Sequence, residues 1–173
     1  MRPFSLTQDL VTGIPEIDEQ HGELLDLANE VVNAAGAGLH PELFELATTF
    51  LAGYVAYHFA AEEKVMTDLD YPERGQHFDE HRQLQREVAS HMVAAGLNRT
   101  CEACKDEIAL LFENWIVHHI RLADREMAEF LRSQAIDLRS LRLPSLQTLK
   151  DDGGISIDFD DRIAMGAAGM RQR

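Results

Sequence analysis

His58 and Glu62 stand one helical turn apart in the run YHFAAEEKVM, residues 57–66. Side chains at i and i+4 project together from one face of a helix. Such a pair either decorates a surface or holds one metal ion. The arrangement recurs along the chain. His77 and His81 are i and i+4 within HFDEH, HHIRLAD carries His118, His119 and Asp124, and His21 lies in DEQHGELL. A lone histidine on a partly apolar face is ordinarily a hydrogen-bonded polar residue. The set reads differently, because buried imidazoles and carboxylates are costly unless paired or coordinated. Neutral imidazole suits Zn, Cu, Ni and Fe, and a carboxylate can bridge two ions. The five histidines His21, His58, His77, His81 and His119, with Glu62 and Asp124, exceed the four ligands of a structural zinc and suffice for two ions. One spacing resists simple geometry. His119 and Asp124 are five residues apart, about 140° around an ideal helix. A locally widened helix or a carboxylate approaching from the flank would bring them to one centre.

The elements that must carry these residues are helices. After an extended arm, residues 1–16 with Gly13 and Pro15, the stripe Leu24, Leu25, Leu27, Val31 and Val32 marks a first helix. AGAGLHP interrupts it, and Pro41 suits the first turn of a second helix running to about Leu69. DYPERG and GLNRT bound a third helix from about Gln76 to Ala95, and a fourth runs from about Cys101 to Gln134. No alternating run predicts a strand. The expected fold is all-α: an up-down-up-down four-helix bundle over residues 17–134, with a partly irregular C-terminal tail over 135–173.

Composition narrows the function. The 173 residues carry a net charge of −14 and are 45% hydrophobic. One packed domain is expected, and the charge argues against nucleic acid and anionic membrane surfaces while favouring cations. No apolar run reaches the roughly 20 residues of a membrane span, and the start lacks a secretory-type apolar stretch. A cytoplasmic location is the default expectation.

The ordered series resembles the hemerythrin family, bacterial hemerythrin-like domains in particular. It consists of His21 in GIPEIDEQHGELL, His58 and Glu62 in HFAAEEKVM, His77 and His81 in HFDEH, and His119 and Asp124 in WIVHHIRLAD. Each short motif is weak alone, but the four in order, one per helix over about residues 10–133, are specific. The resemblance implies a non-heme centre of two Fe ions with an oxo or hydroxo bridge. His77, His81 and His119 would hold one iron and His21 and His58 the other, with Glu62 and Asp124 bridging. The iron with two histidines would keep a position for O2. Leu24, Phe59, Trp115, Ile116 and Ile120 would line that O2 pocket while packing the core, and a dry apolar wall would slow oxidation to the ferric form. A histidine-rich site favours reversible binding over oxygen activation.

The remaining residues suggest less. His118 points roughly 100° away from His119 and is read as a non-ligand. His40 and His91 are read as solvated, and Glu63 either faces solvent or supports a ligand from behind. The arm has Phe4 but no tryptophan, which leaves its packing open. Cys101 and Cys104 form a C-x-x-C at a helix start rather than beside a strand, so two ordinary thiols are expected, with a redox switch as the alternative. The acidic DDGGISIDFDD lacks EF-hand spacing and reads as solvated tail. The leading function is reversible O2 binding by a carrier, store or sensor that is not an enzyme. The alternatives are a di-iron enzyme reducing peroxide or nitric oxide, or a signalling module acting on a protein partner through the C-terminal tail.

Overall fold

A computed structural model describes residues 2–36, 41–96, 106 and 109–143. His40, Cys101, Cys104 and the acidic stretch of the tail lie outside them, as does the side chain of His91. Four helices form a bundle, and no strand occurs among the described residues. Helix α1 spans Pro15–Gly36, α2 Pro41–Asp68 and α3 Arg74–Gly96. The described part of α4 runs continuously over 109–133, ending in the α-helical stretch Arg125–Ser133. The proposed ligands lie towards the start of α1, the end of α2, the start of α3 and the end of α4. Alternating helix directions bring those four levels together, as the expected up-down-up-down bundle requires.

Helix α4 departs from a plain α-helix. It contains two π-helical stretches, Glu113–Val117 and Ile120–Asp124. The hydrogen bonds of a π turn close from i to i+5, and such turns are concentrated at functional sites.

The core falls into two apolar clusters. One contains Leu24, Leu25, Leu51, Val55, Phe59, Phe112, Ile116 and Ile120. The other contains Ile14, Ile17, Val65, Met66, Tyr71, Met127, Ala128 and Leu131. Along α1, α2 and α4 the sequence passes from one cluster to the other across His21, Glu62 and Asp124 respectively. A polar layer thus separates two apolar ones.

The N-terminal arm is fastened to the bundle. Asn29 exchanges two hydrogen bonds with the backbone of Phe4, and the Phe4 ring meets Phe112 edge-on at 6.3 Å. Phe4 therefore answers the question left by the missing tryptophan. A short 3-10 turn, Gln8–Leu10, buries Leu10 and positions Asp9 to accept from Arg121 at 2.8 Å. The Asp18 carboxylate then accepts from the backbone N–H groups of Thr12 and Gly13 and from the Thr12 hydroxyl. Gly13 takes φ +84°, a left-handed conformation that glycine adopts at no steric cost.

At the other end, α4 closes with a Schellman motif. The N–H of Ile136 donates to the Leu131 carbonyl and that of Ala135 to the Arg132 carbonyl, with Ala135 left-handed at φ +59°. This turn directs the following residues back onto the bundle. Leu138 is buried in the second cluster, with Ile136, Leu141 and Leu143 packed against it. Glu16 accepts from the backbone N–H of Leu143 at 2.6 Å. The first nine residues assigned to the tail are packed against the bundle. No described helix is long and apolar enough to cross a membrane.

Candidate metal centre

All seven sequence-derived ligand candidates meet in the polar layer. Two groups of donor atoms form, each with all members within 4.8 Å of one another. One comprises Glu62, His77, His81, His119 and Asp124, and the other His21, His58, Glu62 and Asp124. The two carboxylates are common to both. Every member is buried.

The helices explain the convergence. His58 and Glu62 are one turn apart on α2, as are His77 and His81 on α3. On α4 the π-helical stretch from Ile120 to Asp124 is a local widening, the first of the two ways the five-residue spacing left open. It places the Asp124 Oδ1 atom 3.1 Å from His119 Nε2 and 3.2 Å from His77 Nε2, while its Oδ2 lies 3.2 Å from His21 Nε2. Glu62 Oε2 lies 3.3 Å from His81 Nε2 and 3.6 Å from His58 Nε2.

These approaches are close, yet the atoms lack hydrogen-bond geometry. The Nε2 atoms of His21, His77, His81 and His119 and all four oxygens of Glu62 and Asp124 are buried with no hydrogen-bond partner. An unsatisfied buried polar atom costs about 1–3 kcal/mol, so eight together would be prohibitive without compensation. Donors that converge on common points rather than on one another are what cations require. Imidazole nitrogens with carboxylate oxygens suit first-row transition metals, and two shared carboxylates suit a pair of them.

The outward nitrogens are anchored separately. His58 Nδ1 lies 2.8 Å from Gln20 Oε1, and Gln20 also reaches the Tyr57 hydroxyl. His81 Nδ1 lies 3.0 Å from Glu63 Oε1, and His119 Nδ1 lies 3.4 Å from Glu80 Oε2. Such partners fix a ring's orientation and tautomer, leaving Nε2 free to ligate. Gln20 and Glu80 were not assigned from sequence, and for Glu63 the supporting role was one of two open readings. Their only signal is adjacency, each standing beside a ligand in the chain.

Electrostatics separates the two carboxylates. Burial pushes the Glu62 carboxyl up, and the neighbouring Asp124 charge adds to the effect. Burial also opposes ionisation of Asp124, but the surrounding rings of His119, His21 and His77 outweigh it and hold Asp124 well below the usual carboxylate range. Desolvation disfavours a charged His119, yet Asp124 and Glu80 overcome it and raise the ring to about 10. Burial lowers His58, reinforced by His21, and lowers His81 to about 4. Asp124 and His119 thus hold opposite charges while Glu62, His58 and His81 are pushed towards neutrality. Added positive charge between the carboxylates would stabilise both as anions.

Beside the centre, Leu24, Phe59, Ile116 and Ile120 line a small apolar cavity of about 10 Å³ with Val55, Leu84 and the rings of His58 and His119. Trp115 instead lines a larger groove between α3 and α4. His118 also lines that groove, is exposed, and belongs to neither donor group.

The family model for the hemerythrin HHE cation-binding domain matches residues 12–131. The chain belongs to the hemerythrin family. It is 30% identical over 130 residues to a bacteriohemerythrin of Pseudomonas aeruginosa, covering 75% of this chain and 82% of that protein. A bacteriohemerythrin of Stenotrophomonas maltophilia is 26% identical over 125 residues, covering 72% and 79% respectively. A hemerythrin-like protein of Naegleria gruberi is 27% identical over 123 residues, covering 70% of this chain and 88% of that one. In this hemerythrin domain the matched segment includes α1, α2, α3, α4 as far as residue 131, and every member of both donor groups.

Proposed function

We propose that this hemerythrin domain holds two iron ions and binds O2 reversibly, as a carrier, store or sensor. The observation that carries the reading is the sharing of Glu62 and Asp124 by two buried donor groups. His77, His81 and His119 would hold one iron, and His21 and His58 the other. The unequal histidine count would leave the second iron with the more open coordination. When bound, ferrous iron at that position would supply the affinity for O2. The chain's own contribution is to fix the rings through Gln20, Glu63 and Glu80 and to exclude water.

The small apolar cavity supports binding over turnover. At about 10 Å³ it is at the lower limit for one water molecule, and its side chains are apolar apart from the two rings. Among the described residues no acid or base separate from the donor groups lines it. Membership of a cation-binding family supports the metal, and the histidine-rich donor set supports iron that returns to its starting state.

The test begins with the metal-free protein loaded anaerobically with Fe(II). Two irons per chain are expected, with charge-transfer absorption appearing under O2 and disappearing under vacuum. A single tightly held zinc, or iron near one per chain, would overturn the two-metal reading. Irreversible oxidation together with steady turnover of peroxide or nitric oxide would replace the carrier with a di-iron redox enzyme.

A further inference from the structure

The small apolar cavity is a poor path for an ion, since crossing it would strip a cation of water against hydrocarbon. The other side of the centre differs. Between α3 and α4 a groove of about 870 Å³ reaches His119, and an adjoining polar cavity of about 340 Å³ reaches His77. Both are lined by Gln76, Glu80 and Glu126, and Glu73 lines the second. Among the described residues no lysine or arginine lines either one.

We propose that this groove is the route by which Fe(II) reaches the two-metal centre, with Glu73 and Glu126 capturing the hydrated ion and Glu80 passing it to His119. The inference rests on the two-iron reading and adds to it a path and three residues. Two independent features meet here. The first is charge: Glu73 and Glu126 are exposed and have no ion-pair partner among the described residues. The second lies at the floor. His77 and His119 are each more than nine-tenths buried, line the two cavities, and have Nε2 atoms without a hydrogen-bond partner. Glu80 joins the levels, since its side chain is 42% exposed and its Oε2 lies 3.4 Å from His119 Nδ1. Aqueous ferrous iron prefers oxygen donors until it meets nitrogen, so carboxylates outside and imidazoles inside form a graded series. A cleft of one charge sign also concentrates counter-ions at its mouth.

The test measures loading rate apart from final content. Metal-free full-length protein is mixed anaerobically with Fe(II) alone at low ionic strength, stopped with chelator at intervals, and assayed for protein-bound iron. The double variant Glu73→Gln/Glu126→Gln removes two exposed charges and no proposed ligand. It should load about fivefold more slowly than wild type, reach the same two irons per chain, and show a smaller difference at high salt. Asp26→Asn/Glu30→Gln removes the same charge from exposed positions of α1, outside the groove, and should load at the wild-type rate. Unchanged loading in the groove variant, or equal slowing in both variants, overturns the route while leaving the two-iron reading intact. A wild-type protein that never reaches two irons overturns that reading, and the route with it.

Discussion

Asp124 Oδ1 lies 3.1 Å from His119 Nε2 although five residues separate them, because the helix between is wound as a π turn. The shared carboxylate thus depends on a backbone irregularity. The same turn lets Asp124 reach donors from α1, α3 and α4.

Glu62 offers the first comparison. Glu62→Ala removes a buried carboxylate common to both donor groups, whereas His118→Ala removes an exposed ring belonging to neither. The Glu62 variant should retain less than half of the wild-type iron after desalting, and the His118 variant essentially all of it. Equal iron loss from both variants by metal analysis would show that the two histidine faces of α4 were assigned the wrong way round.

Gln20 acts through His58. Its side-chain oxygen lies 2.8 Å from His58 Nδ1, and Gln20→Leu would leave that ring without its anchor. Loss of such a partner typically costs 10–100-fold in metal affinity. Chelator competition should show one iron released about that much more readily and the other little changed. Uniform weakening of both would mean that Gln20 supports the bundle rather than the ring.

Ile116 is buried and lines the small apolar cavity with His58 and His119. Ile116→Glu would bring a carboxylate or water to that wall. The ferrous protein should then convert to the ferric form at least several-fold faster in air, followed by absorption. An unchanged rate would remove the cavity from the account of O2 binding.

Leu138 tests the segment after α4. It is 6% exposed and packs with Ile14, Ile17 and Met127. Leu138→Ala should cost about 2–4 kcal/mol of stability, read from denaturant unfolding, while a chain ending at Leu143 should keep wild-type stability and iron. If Leu138→Ala unfolds at the wild-type midpoint, residues 135–143 do not support the bundle.

The contrast between legible and illegible features follows from periodicity. His58 with Glu62 and His77 with His81 keep the helical spacing, so their faces could be assigned from sequence, and the helices followed from the same repeat. Asp124 broke the period, and the sequence left open whether the backbone widened or the carboxylate approached from the flank. Ile136, Leu138, Leu141 and Leu143 follow no single helical or strand period. They pack because Ala135 turns the chain back, which the sequence does not signal, since the usual residue there is glycine. Gln20 and Glu80 look like surface polar residues until their neighbours' second ring nitrogens are located. Trp115, which the resemblance placed beside the O2 pocket, lines the α3–α4 groove and packs partly buried against the first cluster.

The ligand layer that divides the two apolar clusters has a consequence for how the molecule comes apart. Most small bundles unfold as one unit because a single core links every helix. Here three helices pass from one apolar half to the other through a waist of imidazoles and carboxylates that contributes little cohesion by itself. Filled with metal, the waist becomes a rivet joining the halves. Stripped of it, each half can breathe on its own, so amide exchange should be fastest at the midpoint of the bundle rather than at its ends.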